Sequence, residues 1–227
     1  AEGASLLRAE WALDDRDAEQ ALRLLSELPP GVARRTHALR LKLRAARAMR
    51  QPLEALETAR LLSKHQAFSP AAARGLLRGL AIEVLDTAHD AEQLRRAWLA
   101  LEPADRRDPA VAARAATRAA GFEAAEDGRA WLAPLWDRLT ELAPEDRRVI
   151  AVALCGAVSG IGIDWLPRAE SAAATLPAEP AIAAAAGMVF AERQLWGKAR
   201  RLLEGAAADA ALDGTTRRRC WRRLAEL

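Results

Sequence analysis

Two stretches of the chain read alike at an offset of 34 residues: DDRDAEQALRLLSELP (Asp14 to Pro29) and MRQPLEALETARLLSK (Met49 to Lys64). Ala21 falls on Ala55, Leu25 on Ala59 and Leu28 on Leu62. A third copy is QLWGKARRLLEGAAAD (Gln194 to Asp209), with Ala199, Leu203 and Ala206 at the same three positions. Steps of four and three put these residues on one helical face, so each stretch predicts a helix that buries a stripe. The segment before the third copy carries Gly187 and Phe190, twelve and nine residues ahead of Ala199. Two helices cross closely only where side chains are small, and Gly187 and Ala199 supply that gap while Phe190 fills the space beside it.

The rest of the chain agrees with this reading. Ala makes up about a quarter of the 227 residues, a strong helix bias. Val, Ile and Thr are too scarce for a β sandwich or barrel. Proline and glycine divide the sequence at Pro29-Pro30-Gly31, Ser69-Pro70, Glu102-Pro103, Asp108-Pro109, Pro144, Pro167, Pro177, Pro180 and Asp213-Gly214. Ser69-Pro70 and Asp108-Pro109 each place a capping oxygen before a first-turn proline. Leu6, Ala9 and Leu13, then Leu39, Leu43 and Ala46, show the helical period between such marks. About thirteen helices follow, most paired through turns of two to five residues.

Charge and cysteine narrow the function classes. Lys plus Arg is 34 against 31 acids, too small an excess for a dedicated nucleic-acid binder. Only Lys42, Lys64 and Lys198 are lysine. Cys155 and Cys220 cannot make a framework of bridges and form no C-x-x-C pair. The longest uncharged stretch, Val149 to Ile163, is shorter than the ~20 residues of a spanning helix. The start, AEGASLLRAEWALDD, carries acids early and does not read as a signal peptide. Beginning without Met and stopping inside a helical pattern, the chain reads as a piece of something longer.

The 34-residue helix-turn-helix with its small, aromatic and alternating positions resembles the tetratricopeptide repeat. That resemblance implies an all-α, right-handed solenoid over 1–227. Its repeats fall at 3–29, 32–66 and 180–209, its degenerate pairs at 70–101, 108–141 and 144–176, and a terminal helix at 214–227. More narrowly, AERQLWGKARRLLEGA (Ala191 to Ala206) and RRAWLALEPADRRDPAVAARAATRAA (Arg95 to Ala120) are similar to the HemY family of proteobacteria. These are tetratricopeptide proteins associated with late haem biosynthesis. The resemblance implies a non-catalytic scaffold of the bacterial inner membrane, without cofactor or metal. It would be held by membrane helices absent from this chain, with the repeats on the cytoplasmic side. Its partners would be proteins, pathway enzymes first among them, and not nucleic acid. The alternatives are a carrier binding haem or porphyrin directly, with Arg for propionates and His for iron, and a generic adaptor unrelated to haem.

Candidate functional residues are few. Arg40, Arg44 and Arg47 lie at i, i+4 and i+7, and the pairs Arg74/Arg78 and Arg114/Arg118 repeat the i, i+4 spacing. All belong to first helices of their pairs, which line the concave surface of a tetratricopeptide solenoid. The seven are therefore expected to face a groove that attracts carboxylates. With no Asn in the chain, the Lys/Asn carboxylate clamp of co-chaperone repeats is not expected. The glycines of GAVSGIG (156–162) have the wrong order for dinucleotide binding and read as a helix exit. His37, His65 and His89 lie in three separate blocks. Trp98 and Trp196 fall at packing positions, whereas Trp131 and Trp136 flank Pro134, a residue that kinks or ends a helix. Cys220 sits among arginines that would lower an exposed thiol's pKa.

Overall fold

The computed structural model describes residues 2–227, and all secondary structure among them is helical. The chain divides into two compact units, 1–87 and 88–227. The first contains α1 (Glu2–Asp14), α2 (Ala18–Ser26), a short α3 (Pro30–Ala33), α4 (Thr36–Ala48), α5 (Pro52–Lys64) and α6 (Pro70–Asp86). The second contains α7 (Ala91–Ala100), a short α8 (Pro103–Arg106), α9 (Pro109–Gly121) and α10 (Ala125–Trp136). After a 3₁₀ turn at Leu139–Glu141 come α11 (Pro144–Cys155), α12 (Trp165–Thr175), α13 (Pro180–Glu192), α14 (Trp196–Ala208) and α15 (Gly214–Ala225). Within the first unit α6 packs on α5, and within the second α7 packs on α9.

First helices start at Glu2, Thr36, Pro70, Pro109, Pro144, Pro180 and Gly214, intervals of 34 to 39 residues. Proline opens four of them, because its missing N–H falls where a helix has no acceptor to offer. Ser69 and Asp108 cap their helices as the sequence suggests. Ser69 accepts from Ala72 N–H, and Asp108 accepts from Ala110 and Val111.

The turn from first to second helix is the same in four hairpins. Arg16, Arg50, Glu123 and Gln194 adopt left-handed backbone with φ of 61°, 53°, 59° and 60°. The next residue's N–H then reaches back five positions: Asp17 to Ala12, Gln51 to Ala46, Ala124 to Ala119 and Leu195 to Phe190, at 2.7–2.9 Å. This geometry satisfies the carbonyls that a helix C-terminus leaves open.

The second helices share one buried stripe. Counted from the first residue of each, the fourth, eighth and eleventh positions are Ala21, Leu25, Leu28; Ala55, Ala59, Leu62; Leu94, Trp98, Leu101; Gly128, Leu132, Leu135; and Ala199, Leu203, Ala206, all buried, with Leu28 and Leu101 just past the ends of α2 and α7. The exception is α12, where half-buried Arg168 and exposed Thr175 occupy the first and last places. Close crossing follows from small residues. A Cβ on Gly128 would come within 3.0 Å of Ala116 backbone, and one on Gly187 within 2.8 Å of Leu203.

Candidate functional site

In the first unit Arg40, Arg44, Arg47, Arg74 and Arg78 are all exposed, on α4 and α6. They are not equivalent. Arg44 pairs with Asp14 of α1 at 3.0 Å, whereas Arg40, Arg47 and Arg74 make no ion pair among the described residues. In the second unit Arg114 is exposed on α9, but Arg118 is turned into the packing. Arg118 donates to the Ala88 carbonyl, and its guanidinium lies 5.1 Å from the centre of the Phe122 ring. A groove-facing role does not suit a side chain held in this way.

Other arginines serve the fold, which spacing alone does not reveal. Arg129, on α10, is 6% exposed and donates to three carbonyls of the loop after α11: Ala157 at 2.8 Å, Ser159 at 2.7 Å and Gly160 at 3.3 Å. Burial lowers its pKa, and Glu126, Asp164 and Glu192 oppose that shift. Arg147 binds Glu179 at 2.5 Å and also donates to the Leu142 carbonyl. The hydrogen bond to Glu179 raises its pKa. In this second unit Arg95–Asp127, Arg168–Asp137, Arg147–Glu179 and Arg223–Glu192 each join residues 31 or 32 apart, tying each hairpin to the next.

Of the two tryptophans expected at packing positions, Trp98 is in the core and Trp196 is not. Trp98 is buried and stacks on Trp131, with ring centroids 4.8 Å apart and planes 20° from parallel. Trp136 meets Trp165 edge-on at 6.0 Å, and its indole N–H donates to the Arg168 carbonyl at 3.1 Å. The pair beside Pro134 is therefore engaged in packing, and α10 runs two residues past the proline before it ends. Trp196 corrects the expectation of a core role: it opens α14 with 47% of its surface exposed. Trp196 stands three residues before Ala199, where the stripe of α14 begins.

Neither cysteine is poised to react. Burial pushes the Cys155 thiol up to about 12, with Cys220 adding to the effect. Burial likewise raises Cys220 to about 11, and the opposing influence of Arg219 is too small to reverse it. GAVSGIG is the exit from α11: the helix ends at Cys155 and the chain loops through to Asp164. His37, His65 and His89 are exposed, at a helix start, a helix end and a loop. Among the described residues no three His, Cys, Asp or Glu side chains gather as a metal site. No described helix is long and apolar enough to cross a membrane.

Sequence reasoning missed two apolar cavities edged by Lys42 and Lys198. Their one signal in the sequence is that these are two of only three lysines. Comparison with known protein families, curated proteins and solved structures returned no match.

Proposed function

We propose that this chain is a non-catalytic protein-interaction scaffold of the tetratricopeptide type, working beside late haem biosynthesis at the bacterial inner membrane. The observation that carries the scaffold reading is the pairing of a common buried stripe with exposed, uncommitted cations. The same three positions are buried along five second helices or just past their ends, while Arg40, Arg47 and Arg74 on first helices stand in solvent without ion pairs among the described residues. Helical hairpins of this kind present surface rather than a closed cleft, and guanidinium groups on them suit partner carboxylates. The link to haem rests on the likeness of Ala191–Ala206 and Arg95–Ala120 to the HemY family, as does membrane attachment by segments outside 1–227.

A crosslinking pull-down from proteobacterial membranes tests this, with the chain as bait and a variant carrying Arg40→Glu, Arg47→Glu and Arg74→Glu as control. Capture of terminal haem-pathway enzymes by the parent and not by the variant supports scaffold and arginine face together. Equal capture by both removes the arginine face. A saturable Soret shift on titration with haem would instead favour the carrier.

A further inference from the structure

Two cavities of common construction lie one in each unit. The first, about 450 Å³, is walled by Leu22 and Leu25 of α2, Leu28 just after it, Leu39 of α4 and Leu61 of α5. The second, about 340 Å³, is walled by Ala173 and Leu176 at α12, Phe190 of α13 and Leu202 of α14. Each lies between two successive second helices, over the first helix that separates them. Both rims carry one lysine–glutamate ion pair, Lys42–Glu54 at 2.8 Å in the first and Lys198–Glu170 in the second. Both also carry one exposed arginine, Arg34 or Arg201, that makes no ion pair among the described residues. Lys198 Nζ further lies 5.6 Å from the centre of the Phe190 ring.

Composition makes the parallel informative. Of 34 basic residues only three are lysine, and two of those three stand at these cavities. A lysine lays an unbranched stem along an apolar wall and carries a compact charge that one glutamate can hold. Once that pair cancels, each rim keeps a single guanidinium, whose planar fork fits a carboxylate. The cavities fall in the size range of ligand pockets, ~300–1,000 Å³, and their walls suit a bulky apolar side chain.

We propose that both cavities are docking slots for an acidic segment of a partner protein, which inserts a leucine-sized side chain and sets a carboxylate on Arg34 or Arg201. This deepens the scaffold reading by naming the chemistry of what is held. None of Arg40, Arg47 and Arg74 lines either slot, so the two surfaces are separable by mutation.

The three lysines provide the assay. Reductive methylation with ¹³C-formaldehyde keeps their charge and gives one signal each from Lys42, Lys64 and Lys198, with exposed Lys64 as internal reference. The probe is an acetylated, amidated helical peptide with leucine along one face and glutamate elsewhere; the control carries lysine in place of glutamate. The Lys42 and Lys198 signals are expected to move saturably with the acidic peptide while Lys64 stays still, and the basic peptide should move none. Leu61→Glu, at a position 42% exposed and so safe for folding, should abolish the Lys42 response and spare that of Lys198. Arg201→Glu should weaken the Lys198 response at least tenfold. Uniform movement of all three signals, saturation with the basic peptide, or unchanged responses in the variants would overturn the slots. If a partner captured through Arg40, Arg47 and Arg74 moves neither slot lysine, the slots fall and the scaffold stands. A peptide response in a chain that captures no partner does the reverse.

Discussion

Hairpins α13–α14 and α11–α12 stand side by side in the second unit and solve the same problem in opposite ways. In α13–α14, Gly187 lets Leu203 close to a distance that a Cβ would forbid, and the turn needs only Arg193, Gln194 and Leu195. In α11–α12, bulky Arg168 stands where the other stripes begin with a small or apolar residue, and nine residues, 156–164, separate the helices. Helix α12 packs on α13 instead. The longer loop leaves backbone polar groups without helical partners, and neighbouring hairpins supply them. Arg129 takes three carbonyls, Glu192 accepts from Gly160 N–H at 3.2 Å, and Arg193 donates to the Ile161 carbonyl at 3.4 Å. Close apolar crossing makes a hairpin locally self-sufficient; without it, a hairpin depends on its neighbours.

The largest break in this contrast should come from filling a crossing. Gly128→Val, with its Cβ against Ala116 backbone rather than a flexible side chain, should destabilise the second unit by ~3 kcal/mol or more in urea unfolding. A loss under 1 kcal/mol would mean that the crossing is looser than the geometry indicates. Arg129→Ala removes three charged hydrogen bonds and strands their carbonyls, at a cost of ~2–3 kcal/mol. Hydrogen exchange should show the loss centred on 156–164, whereas uniform loss of protection would count against a stitching role. Glu123→Gly should stabilise by ~0.5–1 kcal/mol, because glycine relieves the left-handed backbone at φ 59° at a smaller entropic cost. The same change in 156–164 at a residue with negative φ should destabilise.

The smallest effect concerns Asp213, which caps the start of α15 by accepting from Thr216 N–H at 2.8 Å. Burial raises its pKa, but hydrogen bonds from Thr216 and Thr215 outweigh that and hold it below the usual carboxylate range. With the folded pKa below the unfolded one, its contribution is present above the unfolded value near 4 and is lost as pH falls through the folded value. Asp213→Ala should therefore flatten the acid limb of stability slightly, and an unchanged limb would remove the cap from the account.

Much of the fold is legible in the sequence because its signals are local. Ala21, Ala55 and Ala199 announce their stripes through spacing alone. Leu94, Trp98 and Leu101 occupy the same places along α7 and its C-terminal cap, where a large residue at the small position disguises the match, and Gly128, Leu132 and Leu135 occupy them in α10. Of the candidate site, the exposure of Arg40, Arg47 and Arg74 follows from their helical phase. The inward turn of Arg118 does not, because it depends on the Ala88 carbonyl thirty residues away. The roles of Trp131 and Trp136 likewise depend on partners, Trp98 and Trp165, supplied by adjacent hairpins.

By itself, then, the sequence determined helices, caps, most turns and the 34-residue rhythm, since each depends on residues within a few positions of one another. Tertiary structure alone decided which arginines, Arg118 and Arg129 among them, are built into the fold. It also brought Lys42 to Glu54 and Lys198 to Glu170 at the edges of two cavities. The physical reason is that a charged side chain's role is set by the dielectric and the partners around it, and both come from chain that is distant in sequence.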